Sequence, residues 1–192
     1  MTPIERVTER GISTSARDYD IDIIVYATGF DALTGSFDAI DIRGVDGASL
    51  REKWKDGPST YLGMFVHGFP NLLMPSGPQS ASATTNFPRG IETGVNWCTA
   101  LLEHMRASGY VRVDATAEAQ RGWGEDIAKL YEAVLLRNGK GWFTGYNSNV
   151  PGHEAGKPRA LIYNGGTPKY VARITDVAEK GYEGVVLSSA RL

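Results

Sequence analysis

An apolar run near the start of this 192-residue chain, at residues 20–27, constrains its fold more than any other feature. The run contains four β-branched residues, which are Ile21, Ile23, Ile24 and Val25. Such a composition favours a strand covered on both faces of a sheet. Small residues follow at positions 27–29, so another backbone or a flat ligand can approach closely. The pattern predicts either a core strand with an ordinary glycine turn or the sheet edge at which an open α/β fold binds a ligand.

A second apolar run, at residues 71–74, predicts another buried strand. It leads into small and polar residues that continue to Asn86. Residues of this kind cannot build a core, but they can wrap closely around a ligand and donate backbone N–H groups to it. We also predict a hairpin over residues 4–14, strands over 61–65 and 159–163, and a last strand over 182–187.

Helical periodicity is clear in three places. Over residues 91–108, the apolar side chains on one face are Ile91, Val95, Cys98, Leu102 and Met105. We expect Asn86 or Thr85 to cap this helix and Gly109 to end it. A second helix is predicted over residues 116–137, and a third from residue 167 to Gly181. Cys98 lies on an apolar face with no base placed to activate it, so we interpret it as a core residue.

Residues 138–157 form a long segment in which glycines alternate with aromatic residues. Loops of this length are usually functional or disordered. Aromatic side chains between glycine hinges suit a lid that closes on a flat ligand. The alternatives are a disordered linker, or a core role for the large side chain of Trp142. The glycine spacing matches neither a Walker motif nor a Rossmann fingerprint.

Composition narrows the function classes. The net charge of −2 gives no electrostatic reason to expect nucleic acid or an anionic membrane as a partner. The single cysteine excludes an internal disulfide and a multi-thiolate metal site, and the three histidines lack metal-ligand spacing. No apolar run approaches the length of a membrane span. We therefore expect no metal, no membrane and a cytoplasmic location.

Several stretches, in this order, resemble the Baeyer–Villiger monooxygenases, which are flavoproteins that use NADPH. They are Ala-Thr-Gly-Phe-Asp-Ala at 27–32, the segment 77–86 with the following helix and Trp97, and Trp-Phe-Thr-Gly through Val-Pro-Gly at 142–152. The resemblance continues through 165–166 and 181–184. It covers nearly the whole chain and looks closest to the phenylacetone and steroid monooxygenase branch, with cyclohexanone monooxygenase also similar.

This resemblance implies the C-terminal part of an α/β flavoprotein with two dinucleotide-binding domains, containing an incomplete Rossmann-like sheet plus helices. Residues 1–35 would end the NADP-binding domain, 36–137 would complete the FAD domain, 138–157 would be a mobile lid, and 158–192 a C-terminal strand-helix-strand. The cofactors would be FAD and NADP. The partners would be the missing N-terminal part, a small ketone and O₂.

The resemblance also implies site residues. Those near the cofactors are Thr28, Gly29, Phe30, Asp31, Gly77, Pro78, Asn86, Phe87 and Trp142. Within this set, Asn86 and Phe87 would lie at the isoalloxazine end of FAD, and Trp142 on the loop that closes over NADP. The substrate pocket would be lined by Ser82, Ala83, Thr84, Phe143 and Leu161. We expect no catalytic residue here, because the arginine of the family's reaction has no counterpart in this chain.

Three functions follow from these observations. The first is part of an enzyme in which NADPH, FAD and O₂ convert a ketone to an ester or lactone, inactive without the N-terminal part. The second is part of a related flavin monooxygenase that oxygenates nitrogen or sulfur. The third is a non-catalytic interaction module.

The sequence departs from the family in lacking a glycine fingerprint and in carrying extra lid residues at 148–149 and 153–155.

Overall fold

The computed structural model describes residues 2–27, 32–81, 85–146 and 159–189. The chain divides into two compact units, Met1–Phe30 and Asp31–Leu192. In the described residues, no helix has both the length and the apolar character needed to cross a membrane.

The first unit is a small antiparallel sheet. Its strands are β1 (Ile4–Thr8), β2 (Gly11–Thr14) and β3 (Asp18–Asp20), in the order β1-β2-β3. Gly11 is required where the hairpin turns, because a Cβ there would lie 2.0 Å from the backbone oxygen of Tyr19. The hairpin predicted over residues 4–14 is confirmed, and β3 extends it by one strand.

The buried strand predicted over residues 21–27 is wrong. These residues form no strand, and the side chains of Ile23 and Val25 are 78% and 80% exposed. The backbone N–H of Ile21 still bonds to the oxygen of Arg10, at 2.9 Å, and the sheet pairing stops there. β-branched residues favour an extended chain, but a buried strand also needs a neighbouring strand to bond to. The described residues of this unit supply none.

The second unit combines helices with a two-stranded sheet. Its helices are α1 (Gly35–Asp38), α2 (Leu50–Lys53), α3 (Phe87–Ser108), α4 (Ala117–Glu132) and α5 (Thr167–Glu179). Its strands β4 (Arg112–Ala115) and β5 (Val185–Ser188) pair antiparallel, with Val113 opposite Leu187. Short 3₁₀ turns occur at Val45–Gly47, Leu135–Asn138 and Trp142–Thr144. The α/β class predicted from the sequence is confirmed.

The three predicted helices are confirmed, with caps that the sequence indicates. The side chain of Asn86 accepts a hydrogen bond from the backbone of Arg89, and Thr116 caps α4 in the same way. Gly109 ends α3 in the left-handed conformation, at φ 72°. Helix α4 ends five residues before the predicted boundary at residue 137, and a 3₁₀ turn follows.

The buried face of α3 differs from the predicted one. It consists of Gly94, Trp97, Cys98, Leu101 and Met105. Ile91, Val95 and Leu102, which the periodicity also assigned to the core, are exposed. The apolar arc of this helix is wider than the surface that this chain packs against it.

Two hydrophobic clusters lie in the second unit. The larger one surrounds Trp97, whose ring meets those of Phe65 and Tyr182 edge-on at 5.7 and 5.4 Å. The indole nitrogen of Trp97 donates to the backbone oxygen of Ile174 in α5, at 2.8 Å. The smaller cluster consists of Leu50, Trp54, Val66, Phe69 and Met74.

Three further strand predictions fail in this unit. Residues 61–65 form a closed turn, in which the backbone N–H of Tyr61 bonds to the oxygen of Phe65. Residues 71–74 begin with Asn71 in a left-handed turn conformation, and both its backbone and its side chain bond to Val113, so this segment turns against β4. Residues 159–163 form no strand, although hydrogen bonds join them to residues 79 and 80. Apolar composition favours burial here, but the backbone is held by turns, by the Asn71 side chain and by single hydrogen bonds to other segments instead of by a strand ladder.

Candidate functional site

The segment that follows Met74 lies directly against the backbone of helix α3. A Cβ at Gly94 would lie 1.7 Å from the backbone oxygen of Pro75, so only glycine permits this approach. On the other side, a Cβ at Gly77 would lie 2.6 Å from the oxygen of Gly63. The segment carrying Gly77 and Pro78 is therefore held between α3 and the 61–65 turn.

Gln79 fixes the next part of this segment. Its side-chain oxygen accepts hydrogen bonds from the backbone N–H and the hydroxyl of Thr60, at 3.1 and 2.9 Å. Its side-chain nitrogen donates to the oxygen of Pro58 at 3.0 Å. Gln79 is buried and has a positive φ of 67°, a conformation that costs a non-glycine residue free energy. The buried hydrogen bonds of its amide offset that cost.

The same segment is joined to residues 159–163. The backbone N–H of Gln79 donates to the oxygen of Leu161 at 2.7 Å, and that of Tyr163 donates to Ser80 at 3.0 Å. Further along, the N–H of Arg159 donates to the oxygen of Thr144 at 3.0 Å. A continuous set of backbone hydrogen bonds thus connects residues 77–80, 159–163 and the 3₁₀ turn Trp142–Thr144.

That 3₁₀ turn is built around a buried threonine. The Thr144 hydroxyl donates to the backbone oxygen of Gly141 at 2.8 Å, which closes the turn. The ring of Trp142 stacks on that of Phe143, with centroids 3.7 Å apart. Trp142 remains 40% exposed and belongs to neither hydrophobic cluster. Phe143 is half-buried, whereas the exposed ring of Trp142 on this glycine-flanked turn is available to a ligand or to another protein surface.

The start of α3 carries two of the residues implied by the resemblance. Asn86 caps the helix, with its side-chain oxygen 3.3 Å from the backbone nitrogen of Arg89, and Phe87 is exposed. The first N–H groups of a helix have no partner inside it and carry partial positive charge. This end of α3 can therefore interact with an electron-rich group.

The structure brings some of the predicted site residues together and leaves others outside the described part. Gly77, Pro78 and Leu161 are all buried and are linked through Gln79. Trp142 and Phe143 are connected to them through Arg159. The predicted residues that lie outside the described ranges are Thr28, Gly29, Phe30, Asp31, Ser82, Ala83 and Thr84.

The described residues around this region do not enclose a dinucleotide. The cavity between residues 75–93 and the start of α5 is about 10 Å³, room for about one water molecule. A larger open groove of about 610 Å³ lies beside α4. Its lining includes Glu118, Glu125, Asp126 and Glu183, with Arg173 as its cation, so it disfavours phosphate groups. FAD and NADP therefore do not fit either of these two cavities as the described residues form them.

The cysteine is confirmed as a core residue. Cys98 is buried, with its sulfur 4.0 Å from that of Met64. Burial raises the pKa of its thiol to about 11, so the thiol is protonated at neutral pH. It therefore does not act as a nucleophile.

Sequence reasoning missed Gln79 and Gly94, which organise this region. A glutamine within a run of small polar residues carries no signal of its four hydrogen bonds. Gly94 was detectable as a glycine inside a strong helical pattern, which usually has a packing reason. The partner that requires it, Pro75, is far away in sequence.

No protein-family model matches this chain. Individual proteins, however, are similar to it over nearly its whole length. Cyclopentanone 1,2-monooxygenase of Comamonas sp. (strain NCIMB 9872) is 39% identical over 188 residues, which is 98% of this chain and 33% of that protein. Phenazine N-monooxygenase PhzNO1 of Lysobacter antibioticus is 35% identical over 188 residues, 97% of this chain and 34% of the relative. The chain thus spans about a third of the length of the curated relatives it matches.

A comparison with solved structures gives the same class of protein as the sequence comparisons. The crystal structure of OTEMO in complex with FAD and NADP superposes with a TM-score of 0.84 at 35% identity, covering 97% of this chain and 33% of that one. The proteins similar to this chain are thus flavin-dependent monooxygenases. Within that class, the chain matches the C-terminal part of Baeyer–Villiger monooxygenases, as the sequence motifs predicted.

Proposed function

We propose that this chain forms the C-terminal part of an FAD- and NADPH-dependent Baeyer–Villiger monooxygenase. The complete enzyme inserts one oxygen atom of O₂ next to a ketone carbonyl and produces an ester or lactone. The observation that carries the proposal is the 39% identity to cyclopentanone 1,2-monooxygenase over 98% of the chain. The motif order along the sequence agrees with it, because the motifs span nearly the whole chain.

In this proposal the N-terminal part holds both cofactors, and this chain completes their surroundings. The chain has no glycine fingerprint, and its large groove is acidic. The redox chemistry belongs to FAD and NADPH, whereas this chain positions groups and excludes water. Rigid contacts at Gln79 and Gly94 support such a positioning role.

Each implied site residue keeps a proposed role. The turn of Thr28, Gly29, Phe30 and Asp31 lies at the junction of the two dinucleotide domains. Gly77, Pro78, Asn86 and Phe87 approach FAD, and Trp142 covers NADP. Ser82, Ala83, Thr84, Phe143 and Leu161 line the ketone pocket. The exposure of Trp142 and Phe87 supports contact with something beyond the described residues, whereas Leu161 is already buried.

The domain division is part of the same proposal. Residues 1–35 end the NADP-binding domain, 36–137 complete the FAD domain, 138–157 form the lid and 158–192 form the C-terminal element. A cytoplasmic location is also proposed, since the single cysteine is a buried free thiol.

Reconstitution tests the function. The chain is co-expressed with the N-terminal part of cyclopentanone 1,2-monooxygenase, meaning the region preceding its match to this chain. We expect FAD to co-purify with the assembly, and cyclopentanone to accelerate NADPH oxidation and yield a lactone. Each part alone and the complete relative are the controls. An assembly that holds FAD and oxidises NADPH, but forms no ester or lactone from any of a panel of ketones, contradicts the proposal.

A second function is N-oxygenation, which the similarity to phenazine N-monooxygenase favours. The same assembly is given phenazine in place of the ketone, and the products are identified by mass spectrometry. An N-oxide without lactone formation would select this alternative. Lactone without N-oxide would select ketone oxygenation.

A further inference from the structure

One face of α3 is apolar but uncovered. Its four large side chains are between 42% and 51% exposed; they are Phe87, Ile91, Val95 and Leu102, referred to below as the α3 stripe. At 100° per residue, Ile91, Leu102 and Val95 lie within about 40° of one another around the helix axis. The stripe runs along most of the helix, from its first residue to its last two turns.

The stripe adjoins the face that this chain buries. Together, the two faces form an apolar arc of about 160°, from Trp97 to Val95. Packing among the described residues covers the part that includes Trp97, Cys98 and Leu101 and leaves the stripe exposed. A surface helix typically presents an apolar stripe of about 100° or more to its core, so this arc extends beyond the part that the described residues cover.

Polar residues limit the arc on the stripe's far side. Glu92, Asn96, Thr99 and Glu103 follow it around the helix, and all four positions are exposed. The stripe is thus a bounded apolar surface rather than a generally hydrophobic helix. Bounded patches of this kind mark interaction sites.

We infer that the α3 stripe is the surface on which the N-terminal, dinucleotide-binding part of the enzyme docks. This inference rests on the proposed function. The occupant is argued from length: about two thirds of the relatives' residues have no counterpart in this chain, and the described residues leave the α3 stripe exposed. Docking along the stripe also brings Asn86 and Phe87, proposed to approach FAD, to the part that holds the cofactor.

The test compares glutamate substitutions on two faces of the same helix. Ile91→Glu and Val95→Glu place a carboxylate in the proposed interface. Ala100→Glu places the same group on the exposed opposite face and is the matched control. All three positions are exposed in the chain, so circular dichroism and thermal unfolding should be unchanged for each variant.

Binding is measured with the immobilised, FAD-loaded N-terminal part of cyclopentanone 1,2-monooxygenase. We expect the unmodified chain and Ala100→Glu to bind equally, and each stripe variant to bind at least tenfold more weakly, because a carboxylate is costly to bury unpaired. Equal binding by all variants overturns the docking surface while leaving the proposed function intact. No binding by the unmodified chain contradicts the proposed function, and the docking surface with it.

Sedimentation of the chain alone tests a different occupant. A stable homodimer that Val95→Glu dissociates, and that persists in the presence of the N-terminal part, would assign the stripe to a second copy and overturn the inference. A monomer that becomes a one-to-one complex with the N-terminal part supports it.

Discussion

At the scale of single residues, Gln79 connects separate parts of the chain, although it was not among the predicted site residues. Its side chain bonds to Thr60 and Pro58 in one stretch of chain, and its backbone N–H bonds to Leu161 in a second stretch. A buried polar group left without its partner costs about 1–3 kcal/mol. Substitution of this side chain therefore affects several groups at once.

We expect Gln79→Leu to lower the free energy of unfolding by about 2–4 kcal/mol, since the Thr60 N–H and the Pro58 oxygen lose their partner. Urea denaturation followed by circular dichroism measures it. Asn96→Leu, at an exposed position, is the control and should change stability by less than about 0.5 kcal/mol. Equal stability of both variants would show that the glutamine amide is dispensable.

Trp142 permits a comparison between two tryptophans in the same chain. Trp142 is 40% exposed, whereas Trp123 is 3% exposed and stacks on Tyr163 with centroids 5.4 Å apart. We expect Trp123→Ala to destabilise by about 3–5 kcal/mol and Trp142→Ala by less than about 1 kcal/mol.

In the reconstituted enzyme, Trp142→Ala should raise the KM for NADPH and lower ketone turnover if this residue belongs to the lid. Steady-state kinetics per folded molecule provide the readout. A large loss of stability, with turnover unchanged, would instead make Trp142 a packing residue.

At the scale of elements, the contact between α3 and the backbone of Pro75 favours glycine over alanine inside a helix. Glycine inside a helix usually destabilises it by about 1 kcal/mol relative to alanine. At Gly94, a Cβ would meet Pro75 at 1.7 Å, whereas at Gly122 in α4 it would meet nothing within 4 Å. The two glycines are thus matched in helical context and opposite in surroundings.

We expect Gly94→Ala to lower the melting temperature, with a cost of about 1–3 kcal/mol from the forced separation of α3 and Pro75. Gly122→Ala should leave the melting temperature unchanged or raise it, because it increases the free energy of unfolding by up to about 1 kcal/mol. Thermal unfolding of both variants and of the unmodified chain shows whether each substitution raises or lowers the melting temperature. Stabilisation by both substitutions would mean that α3 does not pack on Pro75 this closely.

At the scale of the whole molecule, the sequence contains no glycine fingerprint of the kind that holds the phosphates of a dinucleotide. A pyrophosphate is normally held at a helix N-terminus behind a glycine turn. The chain contains no such fingerprint, and the described cavity lined by Ser80, Thr93 and Tyr170, among others, is about 10 Å³.

We therefore expect the purified chain to bind FAD weakly. Flavin absorbance after gel filtration, with and without added FAD, measures occupancy. The complete cyclopentanone 1,2-monooxygenase, prepared in parallel, is the control for retention of the cofactor. Near-stoichiometric yellow flavin in this chain alone would contradict the expectation and would require a phosphate site elsewhere.

The sequence by itself determined those features that depend on neighbours along the chain. Helices α3, α4 and α5 follow from periodicity, and Asn86, Thr116 and Gly109 mark their ends through local hydrogen bonds and backbone conformation. The family motifs were also readable, because they combine residue identity with order. The core position of Cys98 followed from its place on an apolar face.

Only the tertiary structure decided which surfaces are covered. Residues 21–27 have the composition of a buried strand and lie exposed, because burial requires a partner that composition does not specify. The same reason separates the covered face of α3 from its exposed stripe, although both are apolar. Gln79 and Gly94 matter through Thr60, Pro58 and Pro75, at least 19 residues away in each case. Contacts over such separations depend on how the whole chain packs, which local patterns do not encode.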